Sequence, residues 1–179
     1  MLSSSTRIND AEHGEGFWID HWHYNIDLLE SYLSLYPEKE NNILFNDRAF
    51  TFFDNTMVVK PRSEKYLLYK GSPRQLHAVA QDAAKEELIH KRKILPHIVR
   101  TEYGNGNIYQ TTLINKLLSL LANKAASLDP FGIGVEMESD KPNWFDSLNG
   151  LPALFGSSLC ETFELKRLAL FVKKALEKS

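Results

Sequence analysis

The segment from Asp140 to Pro152 places a carboxylate, an indole ring and an amide close together along the chain. Asp146 lies two residues after Trp144 and three residues before Asn149. A carboxyl group that an indole ring partly shields from water has its neutral form favoured, so its pKa rises. A raised pKa suits a general acid that protonates a glycosidic oxygen near neutral pH. The segment therefore predicts a sugar-cleaving acid, and the alternative is a turn whose Asp and Asn side chains bond their own backbone.

Two glutamates precede this segment and alternate with apolar residues. Glu136 and Glu138 flank Met137, so in an extended conformation both side chains lie on the same side of the chain. An inverting hydrolase needs a second carboxylate about 6.5–9.5 Å from the acid, where it activates water. Glu136, Glu138 and Asp20 are the candidate bases, and a solvated strand edge is the alternative for the two glutamates.

An aromatic and polar group opens the first predicted helix. A pyranose has apolar faces and polar rims, so aromatic rings beside Asp and His side chains are typical of a sugar site. We predict that Trp18, Asp20 and His21 bind substrate, while Trp22 and His23 pack in the core. The alternative for Trp18 is that it anchors the core together with Trp22. Two histidines two residues apart point about 200° from each other on a helix, so we expect no metal site here.

Cationic residues form three further groups. Arg62, close to Lys60, offers a planar fork that suits a carboxylate or phosphate, and a charged surface loop is the alternative. The tract 90–93 is interpreted as a solvated face that complements the dipole at a helix C-terminus, and a phosphate or nucleic-acid patch is the alternative. Arg100 and Glu102 either line the mouth of a pocket or pair in solvent.

Apolar periodicity predicts four helices and no major sheet. The predicted helices cover 19–36, 76–94, 108–127 and 161–178, with Ser158 or Thr162 as the cap of the last. The fold class is therefore mainly α. The two turn-rich connections, 38–73 and 129–160, are far longer than the usual connection of about 4–6 residues. We expect residues 1–179 to be a single all-α segment of a larger domain, with residues 1–16 as a flexible leader.

Composition and charge exclude several classes of protein. With 21 Lys and Arg against 23 Asp and Glu, the chain has no basic footprint for nucleic acid or an anionic membrane. Its one cysteine, Cys160, forms no internal disulfide, and the N-terminus does not have the layout of a signal peptide. No apolar stretch approaches the roughly 20 residues of a membrane helix, so we expect a cytoplasmic protein.

The residues Trp144-Phe145-Asp146-Ser147-Leu148-Asn149 resemble the Trp-Asn-Asp-Gly-Met-Asn signature of cellobiose phosphorylases and related disaccharide phosphorylases. The matching positions are Trp144, Asp146 and Asn149. The stretch from Gly156 to Glu161 is similar to the Gly-containing loop and Glu-headed helix that follow this signature. The resemblance implies that the chain is part of an (α/α)6 barrel with long loops, and that Asp146 is the general acid.

The resemblance also implies an activity, inverting cleavage of a β-glucoside in a disaccharide or oligosaccharide. Inorganic phosphate is then a possible co-substrate, and no other cofactor is expected. The expected substrate-binding residues are Trp144, Asn149, Trp18, Asp20, His21, Lys141 and Arg62. Two alternatives stay open: an inverting hydrolase with Glu136 or Glu138 as base, and a noncatalytic truncated fragment or interaction module. In the second case we expect self-association, or a surface left by the missing remainder of the barrel.

Overall fold

Helices dominate this computed structural model, which describes residues 19–140 and 146–178. The helices are α1 (Ile19–Leu35), α2 (Arg62–Lys65), α3 (Ala83–His90), α4 (Leu113–Ala126) and α5 (Leu159–Lys178). Short 3-10 turns cover Pro37–Lys39, Glu102–Gly104, Asp146–Leu148 and Ala153–Gly156, and a π-helical turn covers Asn42–Asn46. Helical residues make up about half of the described chain, which confirms the mainly α class. Within the described ranges these helices do not close into a barrel.

The core lies between the three long helices. Apolar residues at helical spacing on α1, α4 and α5 face one another, because only this arrangement removes all three stripes from water. Its buried members are Trp22, Ile26, Leu44, Ile114, Leu117, Val135, Leu165, Leu168, Val172 and Ala175. Leu44, in the π-helical turn, and Leu168, in α5, are fully buried.

Three small antiparallel sheets accompany the helices. The strands are β1 (Met57–Val59), β2 (Tyr66–Tyr69), β3 (Ser72–Gln75), β4 (Val79–Gln81), β5 (Val135–Glu136) and β6 (Ser157–Ser158). They pair as β1 with β4, β2 with β3, and β5 with β6, in registers that include Met57↔Gln81, Tyr66↔Gln75 and Val135↔Ser158. No large sheet forms in this part of the chain, as the absence of period-2 runs predicts.

Two of the predicted helices are too long. The prediction for 76–94 is wrong at both ends. Val79–Gln81 pairs with β1, and the side chain of Asp82 then caps α3 by accepting from the Lys85 amide at 3.0 Å. The helix ends at His90. The prediction for 108–127 begins too early, because Ile108 bridges Arg100 and Thr111 bridges Phe50 before α4 starts. In both places antiparallel backbone pairing with another segment of the chain overrides helix propensity.

The first and last predicted helices are confirmed. Helix α1 ends at Leu35, two residues before Pro37. Helix α5 begins at Leu159, and the hydroxyl of Ser158 accepts from the Glu161 amide at 3.2 Å, so Ser158 is the cap. In the described ranges, no helix has both the length and the apolar character that crossing a membrane requires.

Candidate functional site

A buried lysine holds two glutamates at the centre of the candidate site. Lys65 Nζ lies 3.0 Å from Glu136 Oε2 and 2.8 Å from Glu138 Oε1. The lysine side chain is 5% exposed and both carboxylates are 2% exposed. A buried carboxylate is tolerated only when it is paired and hydrogen-bonded, so the lysine is what allows both glutamates to stay inside the protein.

Further polar side chains surround this ion cluster, which we call the Lys65 cluster. The hydroxyl of Tyr66 donates to Glu136 Oε1, and Gln75 Nε2 donates to the Tyr66 oxygen at 3.1 Å. Arg62 Nε lies 3.7 Å from the same Glu136 oxygen. The Arg62 side chain is 45% exposed, so it places a partly solvated cation at the edge of the cluster.

Local structure explains how these side chains meet. Helix α2 ends at Lys65 and leads directly into the β2–β3 hairpin, whose open end pairs Tyr66 with Gln75. At the other end of the hairpin, Lys70 and Gly71 form the turn with positive φ angles of 51° and 79°, the backbone of a type I′ turn. The facing glutamates come from β5 and the residues that follow it.

The loop that carries the predicted acid is closed at its base against the Lys65 cluster. The Gly150 amide donates to the Met137 carbonyl at 2.7 Å, and the Gln75 amide donates to the Gly150 carbonyl at 2.8 Å. Gly150 has a φ of +76°, and a β-carbon there would lie 2.7 Å from the Gln75 oxygen, so glycine is needed at this position. The two residues that flank the 138–149 loop, Met137 and Gly150, are therefore neighbours in the fold.

The two glutamates among the candidate bases lie on the same side of the chain, as their spacing predicts. Glu136 and Glu138 both reach Lys65, which confirms that they share one side of the chain. The alternative of a solvated edge is wrong, because both side chains are buried. A general base takes a proton from water, whereas in this arrangement both carboxylates are buried and bonded to Lys65. The catalytic role of the two glutamates stays a prediction.

Several predicted site residues lie wholly or partly outside the described residues. Trp18, Lys141 and Trp144 are outside. Asp20 and His21 lie in the first turn of α1 and Asp146 begins a 3-10 turn, but their side chains are outside the described part. Asn149 is half-buried and immediately precedes Gly150.

The first turns of α1 connect to the first turn of α5 through the core. Trp22 is 9% exposed, which confirms that it packs inside, and the Lys124 ammonium lies 5.9 Å from the centre of its ring. Lys124 pairs with Glu161 of α5 at 2.8 Å, close to the β5–β6 pair. His23 does not pack in the core: it lies between α1 and α5, 3.0 Å from Asp27 and 3.5 Å from Glu164.

The tract at the end of α3 is only partly the solvated face that its sequence predicts. Lys91 is exposed and pairs with Glu87 at 2.8 Å. Arg92 is buried instead, with Nη1 2.8 Å from Asp54 Oδ2 and 2.8 Å from the Pro96 carbonyl. Arg100 does not pair with Glu102, since its guanidinium donates to the carbonyls of Ile94 and Gly106.

Sequence reasoning missed Lys65, Tyr66 and Gln75. Lys65 is the last residue of α2, and Tyr66 and Gln75 belong to the β2–β3 hairpin. No local sequence pattern marks any of them as a site residue, and the Lys65–Glu136 contact spans 71 residues. The one local signal was the alternation around Glu136 and Glu138, because two carboxylates on the same side of a buried strand require a cation nearby.

We expect the wild type to lose stability at alkaline pH because Tyr66 ionises, and we expect Tyr66→Phe to lack this part of the loss. Burial, together with the hydrogen bond to Glu136, raises the pKa of Tyr66 to about 12, from an ordinary value of about 10. Between these values the unfolded chain releases a proton that the folded chain keeps, so this contribution to stability is complete below pH 10 and is lost as the pH rises through 12. After allowance for partial exposure, it amounts to about 1–2 kcal/mol.

Urea unfolding at pH 9, 10 and 11.5 measures this difference. The wild type should lose more stability than Tyr66→Phe over this range. The matched control is Tyr69→Phe in the same hairpin, where Tyr69 is 48% exposed. If wild type and Tyr66→Phe lost stability in parallel, the hydrogen bond to Glu136 would not influence the tyrosine.

The described residues contain no group of three or more His, Cys, Asp or Glu side chains that is arranged to hold a metal ion.

Comparison of the chain with protein families, with curated proteins and with solved structures found no match.

Proposed function

We propose that the chain cleaves a β-linked glucoside with inversion, with Asp146 as general acid and inorganic phosphate as the attacking nucleophile. The observation that supports this most is the closure of the 138–149 loop against the Lys65 cluster. A catalytic group must be held by a rigid, well-bonded support. The bonds of Gly150 to Met137 and Gln75 supply such a support at the base of the loop that contains Asp146.

In this proposal, the residues around Asp146 bind the sugar. Trp144 stacks on the apolar face of a pyranose, while Asn149 and Lys141 bond its hydroxyl groups. Trp18, Asp20 and His21 extend the pocket from the start of α1, as the inner helix of an (α/α)6 barrel would. The connection from Trp22 through Lys124 to Glu161 supports this, because it joins that helix start to the β5–β6 region.

The chemistry needs one carboxylic acid and one nucleophile. Asp146 donates its proton to the glycosidic oxygen while the bond from that oxygen to the anomeric carbon breaks. A phosphate oxygen attacks the anomeric carbon from the opposite face, so the products are a free sugar and a sugar 1-phosphate. The burial of Glu136 and Glu138 on Lys65 favours phosphate over water, because a hydrolase needs one of them to face water. Arg62, partly exposed, is the cation best placed to receive the phosphate.

Incubation of the purified chain with cellobiose, with and without phosphate, tests the proposal. Phosphorolysis gives glucose and glucose 1-phosphate only when phosphate is present. Glucose production without phosphate would favour the hydrolase, with Glu136 or Glu138 as base. No product under either condition would contradict the proposed activity.

Self-association is a second candidate function, and exposed apolar residues favour it. Helix α5 exposes Leu159, Phe163 and Leu170, and α1 exposes Tyr24, Leu28 and Leu35. Large apolar side chains gathered on helices that pack together are typical of a surface that another protein covers. Light scattering over a range of concentrations should show a dimer that Phe163→Ser weakens, whereas a monomer at every concentration would exclude this function.

A further inference from the structure

A basic pocket lies between the end of α3 and the turn 101–107, away from the Lys65 cluster. Its volume is about 340 Å³, at the lower end of the range for small-molecule sites. Leu88 and Ile94 contribute apolar walls, and the backbone at Gly104 closes one side. The turn is held by the bond from the Thr101 amide to the Asn107 carbonyl at 2.9 Å, so this side of the pocket is built from hydrogen-bonded backbone.

The ionisable side chains that line the pocket are all cationic. They are Lys91, Arg92, Lys93 and Arg100. Two of the four charges are balanced by carboxylates outside the lining, since Glu87 pairs with Lys91 and Asp54 pairs with Arg92. In the described part of the chain no carboxylate lies within 4.0 Å of Lys93 or Arg100. The pocket therefore has an excess of positive charge despite the chain's net charge of −2.

Both arginines have a buried N–H group without a partner among the described residues. Arg92 Nη2 and Arg100 Nε make no hydrogen bond, although the other nitrogens of both guanidinium groups donate to carbonyls or to Asp54. The Arg92 side chain is only 6% exposed. Buried donors in native proteins are almost always satisfied, so the two arginines that line the pocket keep unused hydrogen-bonding capacity.

Gly104 lets the backbone of the turn pack closely against Leu88 and Arg92. Gly104 has a φ of +96°, and a β-carbon there would lie 2.7 Å from Arg92 Nη2. The position therefore needs glycine for its backbone angle and for the room that it leaves next to the guanidinium.

We propose that this pocket binds a phosphate group, either as inorganic phosphate or as a small phosphate monoester. A phosphate offers several acceptor oxygens and about two negative charges, which matches two arginine forks with two lysines better than one carboxylate does. The volume exceeds what a single phosphate fills, and Leu88 and Ile94 provide apolar surface for the rest of a small ester. The site does not depend on the proposed glucoside cleavage.

Calorimetric titration of the whole chain tests this site, with inorganic phosphate in one arm and glycerol 2-phosphate in the other, at constant ionic strength. Lys93→Gln removes an exposed charge and should weaken binding about threefold. Arg100→Gln removes a charge-assisted donor and should weaken it about tenfold or more. Saturable binding of phosphate alone identifies the free ion as the ligand, and tighter binding of glycerol 2-phosphate identifies an ester.

Two control variants separate this pocket from other cationic sites. Lys173→Gln makes the same change of charge on α5, where Lys173 is 71% exposed, and should leave binding unchanged. Arg62→Gln changes the cation at the Lys65 cluster that the proposed function assigns to phosphate, so this variant loses any phosphate bound there and keeps the binding in the pocket. Circular dichroism confirms folding, and if Arg100→Gln does not fold, Lys93→Glu replaces it with an expected loss of about tenfold. No saturable binding, or binding that only Arg62→Gln weakens, would overturn the proposal.

Discussion

Replacing Lys65 with methionine should lower the free energy of unfolding by about 3–5 kcal/mol, the usual cost of removing one partner from a buried ion pair. The change leaves Glu136 and Glu138 buried without the cation that lies 3.0 and 2.8 Å from their oxygens. Two carboxylates cannot both stay charged in such a place, so the chain must protonate one of them or open the hairpin. Urea unfolding at pH 7 measures the loss.

Two further variants show whether charge causes this loss. Lys178→Met removes an exposed lysine that lies 2.6 Å from Glu40, and exposed pairs contribute only about 0–1 kcal/mol. Glu136→Gln combined with Glu138→Gln in the Lys65→Met background should restore part of the stability, because the stranded charges are then gone. A loss below about 1 kcal/mol for Lys65→Met would mean that the lysine does not stabilise the contact between α2 and β5.

Asp146→Asn should reduce the rate of cellobiose cleavage by about 100- to 10,000-fold, the usual contribution of a general acid. Asparagine has nearly the same shape as aspartic acid but carries no proton that it can transfer to the glycosidic oxygen. Cellobiose binding should therefore remain nearly unchanged. Initial rates with phosphate, together with the dissociation constant from calorimetry, separate the two effects.

Asp140→Asn is the matched control for this variant. Asp140 is the other aspartate of the same segment, it is exposed, and it lies 3.5 Å from His77 Nδ1. Its replacement should leave the rate within about twofold, because exposed pairs of this kind contribute little. Equal rates for Asp146→Asn and wild type would remove Asp146 from the mechanism.

The helices could be predicted where their stabilising contacts are local in sequence. Helices α1 and α5 have apolar stripes and recognisable ends, at Pro37 and at Ser158, and both are confirmed. Helix α3 is shorter than its composition predicts, because Val79–Gln81 joins a strand that lies about 20 residues earlier. Helix propensity amounts to a fraction of a kcal/mol per residue, so a pairing of this kind overrides it.

Only the glutamate half of the candidate site could be predicted from the sequence. Alternation predicts that Glu136 and Glu138 share one side, and both do contact Lys65. Their burial could not be predicted. It depends on a lysine 71 residues from Glu136 and on a hairpin that no alternating apolar pattern in the sequence indicates. The same holds for Arg92, which belongs to a cationic tract in the sequence but is buried beside Asp54 in the fold.

The measurement that tests the proposed function most directly is calorimetric titration of the purified chain with glucose and with cellobiose, each with and without phosphate. The proposal predicts saturable cellobiose binding that Trp144→Ala abolishes and that Phe163→Ala, which removes an exposed ring of α5, leaves intact. If a folded sample gave no heat with either sugar, or if Trp144→Ala bound cellobiose as well as wild type, the assignment of a sugar site to this segment would be wrong.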